Sequence, residues 1–332
     1  MSSLRSRILH RTLQRVTSAL DVHLSVQEQR TRLDEIARRG IRLPKGVTVR
    51  TIQVGGVHAE WVEPIGADPQ RVVLYLHGGG YCLCSLDTHR GLAARLALAG
   101  GSRLLLLDYR LAPEHPFPAA LEDALTAYRW LLAEGISPAR MAIAGDSAGG
   151  GLTLATAVSL REGGYPLPAA LALISPWSDL TFSGDTIRTL ADIDPVLKVD
   201  GNPLADYYAG QHNPAEPHIS PLFADLRGLP PLFIQVGSDE ILLSDSTSLA
   251  EKARLAGVDV SLEVWKGMWH VFQVFAPFVP EAQKAIDQMA AYIKAHTPQK
   301  RHSAEIENVS ERKHERPHWY PIRHPCLISF TL

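Results

Sequence analysis

The 332-residue sequence predicts an α/β fold: a mostly parallel, doubly wound sheet with one antiparallel edge and helices on both faces. Three observations predict it. From residue 71 onward, short apolar runs alternate with stretches of helical length and period. The runs are mostly continuous rather than alternating, as strands covered on both faces require. An alternating hairpin pattern precedes them, which supplies the antiparallel edge.

The elements follow in order. The first forty residues read as helices: Leu13, Val16 and Leu20 share one face, Val26, Leu33 and Ile36 another, and Gly40 supplies a stop. Residues 47–54 alternate, Gly55-Gly56 turns the chain, and 57–63 return as the second hairpin strand. Strands are then expected at 72–76, 104–107, 141–144, 171–174, 232–236 and 260–264. The helices between and after them are expected at 88–99, 119–133, 148–161, 244–256 and 281–295. Residues 178–222 break the alternation with Pro, Gly and short helical patterns, and an insertion of that size usually folds over a site. Residues 297–332 are polar and His-rich, carry Pro298, Pro317, Pro321 and Pro325, and are expected to form a poorly ordered tail.

Composition narrows the function classes. With 45% hydrophobic and 20% charged residues and a net charge of −2, the chain is globular, neither disordered nor collagen-like. At this length about three quarters of the unfolded surface is buried, so no disulfide or metal is needed to hold a core. Cys82, Cys84 and Cys326 are odd in number and match no metal spacing, which predicts free thiols in a reducing compartment. The N-terminal stretch has scattered basic residues and no apolar core, unlike a signal peptide. The aliphatic run Leu104 to Leu107 is far short of the ~20 residues a membrane helix needs. A soluble, cytoplasmic protein is expected, without membrane contact. Residues 1–50 carry eleven Lys/Arg against four Asp/Glu, and the body that follows is acidic, so the basic segment is expected to lie over it. No Lys/Arg cluster with interleaved aromatics appears, so no nucleic-acid partner is expected.

Gly145-Asp146-Ser147-Ala148-Gly149 carries the chemistry. It follows a predicted strand and opens a predicted helix, the context of a nucleophile elbow. Small residues must flank a serine held in a sharp strand-to-helix turn, and the turn aims the helix N-terminus at the reacting carbonyl. His77-Gly78-Gly79-Gly80 ends the strand 72–76, and its glycines let backbone N–H groups approach a ligand. The amides of Gly78, Gly79 and Ala148 are the candidate oxyanion donors. No phosphate-loop or dinucleotide pattern accompanies these glycines.

HGGG followed by GDSAGG resembles the hormone-sensitive lipase group of α/β-hydrolases, its bacterial carboxylesterases in particular. The segment Asp108 to Asp123, Ser175-Pro-Trp-Ser-Asp179 and the stretch Asp206 to Glu240 resemble it as well, so the likeness spans about residues 1–296. It implies an α/β-hydrolase domain in two parts, 46–177 and 223–296, under a helical cap built from 1–45 and 178–222. It also implies hydrolysis of carboxylic esters through a Ser-His-Asp triad and an acyl-enzyme, with no metal or organic cofactor. Ser147 is the nucleophile. Asp239 follows the strand 232–236 and is the expected acid, with Glu240 and Asp245 as rivals; His270 follows the last strand and is the expected base. Tyr81, Trp177, Tyr207, Tyr208, Trp269 and Phe272 are candidates for the substrate pocket. The lack of a large amphipathic lid points to short-to-medium acyl esters. An amidase or peptidase of the same fold is the alternative; a non-catalytic receptor, like the plant gibberellin receptors that resemble this family, is disfavoured because His270 is present. The resemblance further implies a homodimer formed around residues 260–296.

Overall fold

In the computed structural model, residues 2–17, 24–40, 42–198 and 203–298 are described. Two helices come first, α1 (Leu4–Thr17) and α2 (Val26–Gly40). The hairpin follows as β1 (Val47–Val54) and β2 (Val57–Pro64), then β3 (Asp68–Leu76), α3 (Leu86–Gly100), β4 (Ser102–Asp108) and α4 (Ala119–Ala133). Next come β5 (Met141–Asp146), α5 (Ala148–Glu162), β6 (Ala170–Ile174), and two short helices, α6 (Thr186–Thr189) and α7 (Leu204–Ala209). The chain continues through β7 (Leu232–Gly237), α8 (Leu243–Leu255), β8 (Val260–Trp265) and α9 (Pro280–His296).

The eight strands form one sheet in the order β1-β2-β4-β3-β5-β6-β7-β8. Only β2 runs against the others, since it is antiparallel to both β1 and β4 while β3 through β8 pair in parallel. Alternation along each strand sorts side chains onto two faces. Leu74, Leu76, Leu105, Leu107, Ile143, Leu171 and Leu173 enter one core, with Leu121 and Tyr128 of α4, Leu152 of α5 and Leu249 of α8. Val73, Tyr75, Leu104, Leu106, Ala142, Ala144, Ala170 and Ala172 enter the other, with Leu92 and Leu96 of α3 and Ile286, Met289 and Ile293 of α9. Both sets are buried, which is why the central strand sequences read as nearly unbroken apolar runs.

Residues 1–298 make one compact unit that includes the N-terminal helices and the 178–222 insertion. The insertion carries α6, α7 and a 3-10 turn at Pro221–Phe223, and contributes no strand among its described residues. Of the two N-terminal helical faces expected, Leu20 lies outside the described residues and Ile36 is 60% exposed; Ala37 is the buried residue of α2. The first residue of the expected tail, Thr297, is packed. Thr297 is fully buried and accepts the Arg71 Nε–H at its carbonyl (3.1 Å) and Oγ1 (3.2 Å). Residues 299–332, including Cys326, lie outside the described residues.

Candidate active site

Ser147 sits between β5 and α5 with φ 52° and ψ −122°. A non-glycine residue in such a region costs about 1–3 kcal/mol, which the surroundings must hold. Its N–H donates to the Ile174 carbonyl (2.9 Å), and its carbonyl accepts the Trp177 N–H (2.9 Å). The flanking glycines answer sterics: a Cβ on Gly149 would collide with the Leu76 carbonyl oxygen, and one on Gly145 with the Gly149 carbonyl. α5 can therefore start directly against β3 only with glycine there.

Its hydroxyl faces a histidine from the far side of the sheet. His270, past the end of β8, places Nε2 2.9 Å from Ser147 Oγ. On its other side, Nδ1 donates to Glu240 Oε2 at 2.7 Å. With Nδ1 protonated, Nε2 is free to accept the serine proton. Glu240 is fully buried, and its Oε1 accepts the Ser175 hydroxyl (2.8 Å) and the Gly237 N–H. Burial pulls the His270 pKa down, but the hydrogen bond and charge of Glu240, with Asp194 and Asp146 behind it, carry it above its ordinary value.

Here the structure departs from the expectation: the carboxylate that meets His270 is Glu240, not Asp239. The Asp239 N–H is tied to the Met268 carbonyl (2.9 Å), and its side chain turns outward. There Oδ1 accepts the Ser238 hydroxyl (2.6 Å), and Oδ2 lies 3.7 Å from His10 Nε2 of α1, at 31% exposure. The third rival, Asp245, is buried on α8 and accepts the Ser178 (2.9 Å) and Asp179 (3.0 Å) N–H groups. Ser175, the first residue of the Ser-Pro-Trp-Ser-Asp stretch, is a site residue that the sequence pattern alone does not identify. It adopts φ 45°, and its hydroxyl also accepts the Val271 N–H at 3.3 Å, bridging the acid loop and the base loop.

The glycine loop lies beside the serine. A Cβ on Gly78 would come within 3.1 Å of Ser147 Cβ. His77 Nδ1 donates to the Gly78 carbonyl (2.7 Å), the His77 ring stacks on Tyr109 at 4.4 Å, and the Tyr109 hydroxyl donates to the His77 carbonyl (2.7 Å). Burial, with His89 adding to it, pushes the His77 pKa down to about 4, so this ring is neutral at pH 7. Beneath the loop, Asp146 accepts the Tyr75 hydroxyl (2.8 Å) and lies 3.2 Å from His89 Nε2. The amides of Gly78, Gly79 and Ala148 find no acceptor among the described residues.

The six aromatic candidates separate. Tyr81 stacks on Tyr208 of α7 with centroids 3.6 Å apart, and Trp177 sits 6.2 Å from Tyr81, all three buried next to the glycine loop. Trp269 and Phe272 do not join them. They pack in a separate apolar cluster with Met268, Val279, Ala282 and Ala285, against Leu9 and Leu13 of α1. Tyr207, adjacent to Tyr208 on α7, points to solvent at 38% exposure. Helical geometry turns neighbouring side chains about 100° apart, so only one of the pair can face the loop.

A family model described as the α/β hydrolase fold matches residues 73–274. An acetyl-hydrolase of Streptomyces hygroscopicus is 45% identical over 247 residues, 74% of this chain and 82% of its own. An esterase of Acinetobacter venetianus is 37% identical over 273 residues, 82% of this chain and 89% of its own. The crystal structure of an esterase from the bacterial hormone-sensitive lipase family shares 42% identity at a TM-score of 0.86, covering 90% of this chain and 100% of that one. No helix among the described residues is long and apolar enough to cross a membrane. Fold, motif order and relatives agree, and the chain belongs to the α/β-hydrolase family, in its hormone-sensitive-lipase branch.

Proposed function

We propose that this hydrolase cleaves carboxylic esters of short-to-medium acyl chains, with Ser147 as nucleophile, His270 as base and Glu240 as acid. The observation that carries the reading is the unbroken hydrogen-bond chain from Ser147 Oγ through His270 to Glu240. Glu240 holds the Nδ1–H tautomer and stabilises the imidazolium as it forms. His270 takes the Ser147 proton while Oγ attacks the ester carbonyl. The tetrahedral oxyanion is met by the amides of Gly78, Gly79 and Ala148, where losing one such donor costs on the order of 3 kcal/mol. His270 then protonates the departing alcohol, and water repeats the sequence on the acyl-enzyme.

The cap is formed by residues 1–45 and 178–222, and it limits the acyl chain. Leu204 lies directly against Gly80, and the Tyr81–Tyr208 stack closes the same side, so a long chain has little room beside the glycine loop. Free thiols at Cys82 and Cys84 support a reducing, cytoplasmic setting. As an edge strand with Val264 48% exposed, β8 supports a homodimer through residues 260–296.

A panel of p-nitrophenyl esters from acetate to octanoate, beside a p-nitroanilide, tests the reading with wild type and Ser147→Ala. Wild type is expected to turn over the shorter esters, and the variant to lose all turnover while keeping its circular dichroism and Tm. Retained activity in Ser147→Ala removes the nucleophile assignment. Anilide cleavage with inert esters replaces esterase by amidase, and ester binding without turnover replaces it by a receptor.

A further inference from the structure

The 178–222 insertion grips the loop carrying Glu240 at a single residue, Ile241. Asp194 of the insertion is fully buried, and its Oδ2 accepts the N–H of Ile241, the residue after Glu240, at 3.0 Å. Its Oδ1 accepts the N–H groups of Val196 (2.8 Å) and Leu197 (3.0 Å), which fixes the carboxylate in its own turn. The carbonyl of the same Ile241 accepts the Thr186 hydroxyl of α6 at 2.6 Å. Both backbone polar groups of the residue after the acid, on two successive peptides, are therefore held from the cap side, while Ser175 and Gly237 hold the carboxylate itself from the sheet side.

A buried carboxylate ordinarily has a cation beside it. Among the described residues no Lys or Arg forms an ion pair with the Asp194 carboxylate. Lys198 Nζ donates instead to the Asp194 backbone carbonyl at 3.1 Å, and His10 of α1 and His270 also feel its charge. We propose that Asp194 is a positioning residue for ester hydrolysis: it holds the Glu240 loop in place through Ile241, so that the Glu240 carboxylate meets His270 Nδ1. This rests on the triad reading above.

Steady-state kinetics across pH tests it, using p-nitrophenyl butyrate and the full chain. The groups that face His270 are Glu240 after β7, Asp146 and Ser147 after β5, and Asp194 from the insertion; His10 faces Asp194 and Asp239. Asp194→Asn is expected to lower kcat at least tenfold with KM within about twofold, as for a contact made mainly in the transition state. The acid limb of kcat/KM moves to lower pH, because losing a negative charge makes the imidazolium easier to deprotonate. Thr186→Val removes the neutral grip on the same residue and is expected to lower kcat without moving the limb. Asp194→Glu keeps the charge and is expected to keep the limb at its wild-type position. A folded Asp194→Asn with wild-type kcat and an unmoved limb overturns the proposal, as does an equal limb shift in Thr186→Val. If Asp194→Asn does not fold, a limb shifted to lower pH in Asp194→Glu overturns it. Inactive wild type, or active Ser147→Ala, instead brings down the triad reading.

Discussion

Glu240→Gln isolates the acid with almost no change of volume. The two carboxylate oxygens are not equivalent. Oε1 receives two donors, the Ser175 hydroxyl and the Gly237 N–H, while Oε2 receives one, His270 Nδ1–H. A glutamine therefore places its carbonyl at the Oε1 position and turns its NH2 toward His270. Nδ1 must then accept, the ring proton moves to Nε2, and a donor faces Ser147 Oγ where an acceptor is needed. In serine-protease triads an acid-to-amide exchange of this kind lowers kcat about 10⁴-fold through the wrong tautomer. That corresponds to roughly 5.4 kcal/mol of transition-state stabilisation. Hydrolysis of p-nitrophenyl butyrate under saturation, with active-site titration to count folded enzyme, measures it. Asp239→Asn is the matched control: its carboxylate is partly exposed and 3.7 Å from His10, so kcat should stay within about threefold. A Glu240→Gln variant within tenfold of wild type, or an Asp239→Asn variant as impaired as Glu240→Gln, refutes the assignment.

Two further predictions concern the frame around the site. Cutting the chain after Pro298 should leave kcat/KM within about twofold. Cutting after His296 also removes both acceptors of the buried Arg71 Nε–H, leaving that guanidinium, among the described residues, only its ion pair to Asp68 at 3.9 Å, at a cost of about 1–3 kcal/mol visible as a lower Tm; equal melting of the two truncations would contradict this. The second is Asp245→Asn. Burial pushes the Asp245 carboxyl up to about 7, with the charge of Asp179 adding to it, while the Ser178 and Asp179 N–H groups pull back. Folding thus raises this pKa above its unfolded value, so stability is lost as pH climbs through that window. An asparagine carbonyl can accept the same N–H groups without charge, so the variant should melt a few degrees above wild type at pH 8 and close to it at pH 5. An equal or lower Tm at pH 8 counts against a strained carboxylate.

What could be read from the sequence was what local pattern enforces. Continuous apolar runs located the central parallel strands to within a few residues, because Val73 and Leu74 face different cores and neither may be polar. The serine was legible for a steric reason, since only glycine at Gly145 and Gly149 lets the elbow close on Leu76. The packing of Thr297 is not legible, because Arg71 holds it across 226 residues and no period reveals such a contact. The acid shows the same limit most sharply. Asp239 and Glu240 are neighbours with the same charge, and position after β7 does not choose between them. Turn geometry commits the Asp239 N–H to Met268 and sends its side chain outward, while the extra methylene of Glu240 lets its carboxylate fold back under the loop. What waits for it there is a pair of donors, one from Gly237 and one from Ser175, 65 residues away on another strand. A buried carboxylate is stable only where such donors converge. The acid is therefore selected by the donors the sheet brings together rather than by chain order, and a sequence search for it should look for the buried serine at the end of β6 as well as for the carboxylate after β7.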